Sequence, residues 1–110
     1  MRLITEERED ATVVSVDTGR IDAAVAISFK EAMRDVIGRT DGPLILDLGR
    51  VDFIDSSGLG AIVAALKLMP KGRTMALASL TPTVDKVFRM TRMDSIFPIH
   101  DTVLEALATD

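Results

Sequence analysis

Residues 44–69 read LILDLGRVDFIDSSGLGAIVAALKLM, an apolar run followed by a polar turn and a second apolar stretch. The first run, Leu44 to Leu48, has the length and the nearly continuous apolar character of a strand buried in a parallel sheet. The second stretch has helical spacing, and Pro70 and Gly72 then stop it. Its apolar stripe comprises Leu59, Ile62, Val63, Leu66 and Met69. A buried strand, a turn and an amphipathic helix in this order predict an α/β unit.

The alternation continues on both sides of this segment. Two β-branched runs, at residues 3–4 and 12–16, surround a charged turn and predict an antiparallel hairpin. Helical spacing predicts a first helix with Asp22 as its N-cap, and Thr81 before Pro82 predicts the start of a third helix. The last predicted strands are at 75–80 and 96–99, and Pro98 restricts the second of them to a sheet edge. A final helix follows, with a capping box of Thr102 and Glu105. Its apolar face comprises Val103, Leu104 and Leu107.

The predicted element order is therefore β-β-α-β-α-β-α-β-α. This order indicates an α/β fold, with a mixed, mostly parallel sheet of about five strands and four helices. A length of 110 residues fits one domain and not two.

The composition excludes several classes of protein. With no cysteine, the chain has no disulfide scaffold, no thiolate metal site and no cysteine nucleophile. A net charge of −4, with no Trp and no Tyr, argues against a nucleic-acid partner. The apolar runs are far shorter than the roughly 20 residues that cross a bilayer, and the acidic start carries no secretory signal. We expect a cytoplasmic protein without direct membrane insertion.

The turn at residues 55–60, Asp-Ser-Ser-Gly-Leu-Gly, is the candidate functional segment. It lies where a strand ends and a helix begins, and the unpaired backbone N–H groups there favour an anion such as phosphate. We expect residues 18–22 and 79–81 at the same end of the sheet. One capping residue suffices, so an additional exposed hydroxyl is a candidate acceptor. An ordinary N-cap, followed by a glycine that only permits close packing, explains the same residues equally well.

Known catalytic patterns fit poorly. A serine-hydrolase turn needs glycine two residues before and after the nucleophile, but Ile54 and Gly58 surround Ser56, and Asp55 and Leu59 surround Ser57. His100 is the single histidine, no phosphate-binding P-loop is present, and no spacing suits zinc. We therefore expect no enzyme, no cofactor and no metal.

At residues 18–22 and above all at Phe53-Ile54-Asp55-Ser56-Ser57-Gly58-Leu59-Gly60, the chain resembles the STAS domain family, specifically the bacterial anti-sigma factor antagonists. The resemblance covers essentially the whole chain and implies a single STAS-like domain over residues 1–110. It implies that Ser56 is phosphorylated by an anti-sigma factor that is itself an ATP-dependent serine kinase. The unphosphorylated form would bind that factor and free the sigma factor, and a metal-dependent serine phosphatase would reset the cycle.

The resemblance also implies a partner-binding surface and a monomer when free. The residues expected to bind the partner are Asp22, Asp55, Ser56, Ser57, Gly58, Leu59 and Thr81. We expect Ser57 mainly to cap the helix, although its use as a second acceptor stays open. The chain departs from related sequences at Arg92, where glycine is common.

Two other functions remain open at this point. A STAS subunit of a membrane lipid-transport complex, or of another signalling complex, would work without a phosphorylation switch. A small nucleotide- or phosphate-binding enzyme would use the same helix N-terminus, but a catalytic base is missing.

Overall fold

The computed structural model describes residues 1–109 and confirms the α/β fold. Five strands form its main sheet: β1 (Leu3–Glu7), β2 (Thr12–Val16), β4 (Leu44–Asp47), β6 (Met75–Ala78) and β7 (Ile99–His100). Their order is β1-β2-β4-β6-β7; β1 and β2 are antiparallel, and the other neighbours are parallel. The helices are α1 (Ala26–Gly38), α2 (Ser56–Leu68), α3 (Pro82–Met90) and α4 (Val103–Ala108).

Two further strands form a second, smaller sheet. Strands β3 (Arg20–Ile21) and β5 (Phe53–Ile54) pair in parallel, with Arg20 opposite Phe53 and Ile21 opposite Ile54. The alternation of apolar runs does not predict them, because a strand of two residues has no periodicity to detect. Strand β5 lies directly before α2, and β3 precedes α1 with a turn between them, so the small sheet helps to position the starts of both helices.

The main sheet separates two apolar clusters. Alternate strand residues, including Val14, Leu46 and Leu77, face the large cluster under α1, α2 and α3. Their neighbours Val13 and Ile45 face a smaller cluster, covered by α4. Each parallel crossover advances the sheet in one direction, and right-handed crossovers therefore place three helices on the same face.

Helix α2 packs more closely than the apolar stripe predicts. Its buried positions are Gly58, Ala61, Ile62 and Ala65, most of them small residues that carry little hydrophobic signal. Of the predicted stripe, Ile62 is fully buried, while the others are partly buried at the edges of the cluster. The predicted apolar stripe therefore does not coincide with the buried face of α2. The buried face consists mostly of small residues, because these let the helix pack closely on its neighbours.

Asp22 does not cap α1, and that prediction is wrong. The helix begins at Ala26 with Val25 as its N-cap and without a side-chain cap. Asp22 instead accepts a hydrogen bond from the backbone N–H of Ala24 at 3.1 Å, which closes a turn before the helix. Because strand β3 extends to Ile21 and a turn follows it, α1 begins only at Ala26.

Thr81 is the N-cap of α3 as predicted, with Pro82 at the first helical position. Its hydroxyl does not cap the helix, however. It donates to the carbonyl oxygen of Val51 at 2.9 Å and so ties the start of α3 to the segment before β5.

The C-terminal elements differ from the prediction in two places. The last strand comprises Ile99–His100 instead of residues 96–99, because a 3-10 helix at Met93–Ser95 precedes it and buried Phe97 stacks on Phe88, with ring centroids 6.3 Å apart. This strand is at the sheet edge, as Pro98 predicts. In α4, Thr102 caps the N–H of Glu105 at 3.0 Å as predicted, but Leu104 is 75% exposed and Ala106 is buried.

Arg92 adopts a left-handed backbone conformation, with φ 60°. Such a conformation costs an ordinary residue about 1–2 kcal/mol and costs glycine little. Glycine is therefore the residue that suits this position best, and Arg92 occupies it at an energetic cost.

Candidate functional site

The start of α2 is fixed by the carboxylate of Asp55. One oxygen, Oδ1, accepts the backbone N–H of Gly58 at 2.9 Å and caps the helix. The other, Oδ2, accepts the backbone N–H of Ala23 at 3.2 Å, in the loop before α1. A single side chain therefore caps one helix and joins two loops, and it leaves the serines that follow without a capping task.

Ser56 and Ser57 occupy the first two positions of α2, and both are exposed. Neither hydroxyl makes a hydrogen bond with any residue from 1 to 109. The expectation that Ser57 caps the helix is therefore wrong, because Asp55 already does so. Two hydroxyls with no structural task at a helix N-terminus are both accessible to chemical modification.

Close packing requires glycine at only one of the two glycine positions of this turn. A Cβ atom at Gly58 would lie 1.9 Å from the carbonyl oxygen of Ile21 and 2.7 Å from its carbonyl carbon. Such contacts are impossible, so α2 can pack on β3 only with glycine here. A Cβ at Gly60 would meet nothing within 4 Å. The packing explanation therefore holds for Gly58 and does not hold for Gly60.

Three loops come together at the carboxyl ends of the parallel strands, as predicted. The backbone N–H of Asp52 donates to Gly19 at 2.9 Å, and that of Asp55 donates to Ile21 at 3.4 Å. The hydroxyl of Thr81 adds the link to Val51. We call the surface made by residues 18–24, 50–57 and 79–81 the loop face. Leu59 is partly buried beneath it, against the large apolar cluster.

The loop face also carries a pair of residues that the sequence alone did not indicate. The guanidinium of Arg20 lies 4.5 Å from the ring centroid of Phe53, and its Nε donates to Asp22 at 3.1 Å. The available signal was the alternation of exposed and buried residues, Arg20 before Ile21 and Phe53 before Ile54. Over two residues, this signal cannot be distinguished from chance.

His100 is in the edge strand of the main sheet. It lies in β7, where its carbonyl oxygen accepts the N–H of Ser79 at 3.2 Å. It lines a depression of about 290 Å³ together with Asp85, Arg89 and Asp101. The hydrogen bond to Asp85 raises the pKa of Arg89, so this cation is already paired within its own helix.

Within residues 1–109, no three His, Asp or Glu side chains gather to hold a metal ion. The same residues contain no helix that is long and apolar enough to span a bilayer.

The chain is similar to known proteins over most of its length. The family model for the STAS domain matches residues 2–106. The anti-sigma F factor antagonist of Paenibacillus polymyxa is 33% identical over 92 residues, which cover 82% of this chain and 79% of that protein. The anti-sigma-B factor antagonist of Listeria monocytogenes is 30% identical over 97 residues, 87% of this chain and 85% of that protein.

A solved structure has the same fold. The crystal structure of an anti-sigma factor antagonist from Mycobacterium paratuberculosis aligns with a TM-score of 0.88 at 27% identity, and the alignment covers 97% of this chain and 91% of that one. The agreement therefore concerns the whole fold and not one motif.

Proposed function

Because the chain belongs to the STAS domain family, and within it to the anti-sigma factor antagonists, we propose that it is a partner-switching regulator controlled at Ser56. Its unphosphorylated form binds an anti-sigma factor that is an ATP-dependent serine kinase, and this binding frees the sigma factor. Phosphorylation of Ser56 releases the complex, and a metal-dependent serine phosphatase restores the binding form. The chain itself performs no catalysis and is a monomer when free.

The structural observation that supports this proposal best is that the Ser56 hydroxyl makes no hydrogen bond with residues 1–109. Ser57 shares this property, and the choice of Ser56 follows from the resemblance, in which the serine directly after the aspartate is the acceptor. Asp55 supplies the helix cap, and Ser56 is exposed at the first position of α2. A kinase can therefore modify the hydroxyl without breaking a hydrogen bond of the fold.

A phosphate at Ser56 is compatible with the folded chain. The first backbone N–H groups of a helix have no partner inside the helix and carry about half a positive charge. Asp55 uses the N–H of Gly58, which leaves those of Ser56 and Ser57 for an anion. We therefore expect the modification to change the surface and not the fold.

The same phosphate opposes a partner that has closed over the serine. It adds about −1.5 to −2 charge and three acceptor oxygens. Asp55 directly precedes Ser56, and its Oδ2 accepts the N–H of Ala23 in the turn that Asp22 closes. A partner surface fitted to a small neutral hydroxyl would face a bulky anion next to the carboxylate of Asp55. A loss of about 3 kcal/mol of binding free energy weakens a complex roughly a hundredfold.

The other residues of the proposed partner surface have distinct roles. Ser57 is exposed beside Ser56, while Asp22, Asp55 and Thr81 hold the loops in place through their hydrogen bonds. Gly58 and Leu59 act from beneath, because one is buried against β3 and the other packs on the apolar cluster. We place the cycle in the cytoplasm because a kinase of this kind needs ATP and a sigma factor acts on transcription.

The test is affinity capture from a lysate of the source cells, with wild type, Ser56→Ala and Ser56→Asp as baits and identification by mass spectrometry. We expect Ser56→Ala to retain an ATP-binding serine kinase and Ser56→Asp to lose it. Ser57→Asp is the matched control, since it places the same charge on the neighbouring exposed serine, and we expect it to retain more kinase than Ser56→Asp.

Two results would contradict the proposal. One is equal recovery of the kinase by Ser56→Ala and Ser56→Asp, which would remove the charge mechanism. The other is equal recovery of a membrane transport complex by both baits, which would favour a STAS subunit that works without a phosphorylation switch.

A further inference from the structure

Arg20 and Phe53 form an ordered pair on the exposed side of the small sheet. They lie opposite each other across β3 and β5, with the guanidinium 4.5 Å from the ring centroid. The ring is 40% exposed and the Arg20 side chain is 64% exposed. The neighbouring residues Ile21 and Ile54 point the other way and are buried.

The fold gains little from this pair. Phe53 belongs to neither apolar cluster, while the anchoring of β3 and β5 comes from the two isoleucines. An exposed cation–π contact adds little to the stability of a fold. An aromatic ring is thus left partly exposed at a place where it belongs to neither apolar cluster. Aromatic residues and arginine are the side chains that most often dominate binding energy at protein interfaces.

The guanidinium is held in place and still has donors to spare. Its Nε donates to Oδ2 of Asp22 at 3.1 Å, and Oδ1 of Asp22 accepts the N–H of Ala24 at 3.1 Å. The two terminal nitrogens, Nη1 and Nη2, make no hydrogen bond with residues 1–109. A planar guanidinium in a fixed orientation can therefore take a carboxylate at low entropic cost.

Arg20 and Phe53 lie on the strands next to the segments that carry Asp22 and Ser56. Phe53 lies three residues before Ser56, on the strand that leads into α2. Arg20 lies on the strand that leads to the Asp22 turn, and Asp55 holds that turn through the N–H of Ala23. An interface of ordinary size that is centred on Ser56 therefore extends to these neighbouring segments, and we expect it to reach Phe53 and Arg20.

We propose that Arg20 and Phe53 form a second docking contact for the anti-sigma factor, independent of phosphorylation, in which Arg20 takes a carboxylate of the partner and Phe53 packs under an apolar side chain beside it. This contact selects which anti-sigma factor binds, whereas Ser56 decides when it binds. The inference rests on the proposed function and names the partner chemistry at that site.

The test measures the dissociation constant between purified chain and the purified serine kinase recovered on the Ser56→Ala bait, by calorimetry without ATP. All variants carry Ser56→Ala, so that phosphorylation cannot contribute. Arg20→Lys keeps the charge and loses the planar fork, and Phe53→Leu keeps an apolar side chain and loses the ring. We expect each to weaken binding about tenfold or more, and the double variant to lose less than the product of the two, because the residues act as one unit.

Arg39→Lys is the matched control. Arg39 is also an exposed arginine bonded through Nε to an aspartate, Asp35, at 3.0 Å, but it lies at the far end of α1. We expect its dissociation constant to stay within about twofold of the reference. Thermal unfolding of each variant shows whether a loss of binding reflects a loss of fold.

The outcomes separate the inference from the proposed function. If Arg20→Lys and Phe53→Leu, both folded, bind like Arg39→Lys, the inference is overturned while the proposed function stands. If the Ser56→Ala reference itself recovers no serine kinase, the proposed function fails and the inference fails with it.

Discussion

Helices α2 and α4 both begin at an aspartate followed by a hydroxyl residue, Asp55-Ser56 and Asp101-Thr102, and they differ in how they use their hydroxyls. At the start of α4, the hydroxyl of Thr102 accepts the N–H of Glu105 and serves as the cap. At the start of α2, the carboxylate of Asp55 does this work, and the hydroxyls of Ser56 and Ser57 make no hydrogen bond within the described residues. A hydroxyl at a helix start is therefore available for chemistry only where another group provides the cap.

The two starts also differ in how they are supported. The first turn of α2 lies on the backbone of β3 at Gly58, so close that no side chain fits. Helix α4 has six residues and covers the smaller apolar cluster through Ala106. The surface that presents Ser56 is thus fixed by the packing of Gly58 on β3 and by the hydrogen bond from Ala23 to Asp55. A site that must fit a partner requires such support.

The largest expected effect comes from the close contact at Gly58. Gly58→Ala places a Cβ 1.9 Å from the Ile21 carbonyl oxygen, so α2 or β3 must move. We expect a loss of about 3 kcal/mol or more in the free energy of unfolding, measured by urea denaturation. Gly60→Ala is the control, and we expect it to stabilise the chain by about 0.5–1 kcal/mol, because an exposed glycine inside a helix is unfavourable. Equal effects at the two positions would contradict the packing role of Gly58.

The next effect concerns the two caps. Asp55→Ala removes the hydrogen bonds to Gly58 and Ala23 together, and we expect it to cost about 2 kcal/mol in unfolding free energy. Thr102→Ala removes a single cap at a short terminal helix, and we expect a cost of about 1 kcal/mol or less. If Thr102→Ala destabilised the chain more than Asp55→Ala, the comparison of the two helix starts would be wrong.

The smallest effect is expected at the serines. Ser56→Ala and Ser57→Ala remove hydroxyls without hydrogen bonds, so the free energy of unfolding should change by less than about 0.5 kcal/mol. Ser56→Asp should be neutral or slightly stabilising, because a negative charge in the first turn interacts favourably with the helix dipole. A loss of about 1 kcal/mol or more in either alanine variant would show that the hydroxyl has a structural task.

Much of the architecture followed from the sequence, because its signals are long or strongly constrained. The order of strands and helices comes from extended apolar runs, and Pro98 alone indicates the edge position of the last strand. The buried face of α2 was displaced because Gly58, Ala61 and Ala65 have little hydrophobic signal. Strands β3 and β5 escaped detection because they are two residues long.

The location of the site was predictable from the sequence, but the residue that caps α2 was not. Three adjacent polar residues at the start of α2 indicated that one hydroxyl was spare, but Asp and Ser are comparable N-caps. The choice of Asp55 depends on its second hydrogen bond, to Ala23 in a loop 32 positions away in the chain. The pair of Arg20 and Phe53 depends in the same way on the register between β3 and β5, which only the folded chain defines.

The proposed switch at Ser56 is tested most directly by locating the phosphate on the chain and measuring how it changes the affinity for the kinase. The purified chain is incubated with the captured serine kinase and ATP, the modified residue is located by tandem mass spectrometry, and the dissociation constant of each form is measured. We predict a single phosphate on Ser56, none on Ser56→Ala, and binding about a hundredfold weaker after modification. Phosphate on Ser57 in the Ser56→Ala variant, or equal affinity of the two forms, would contradict it.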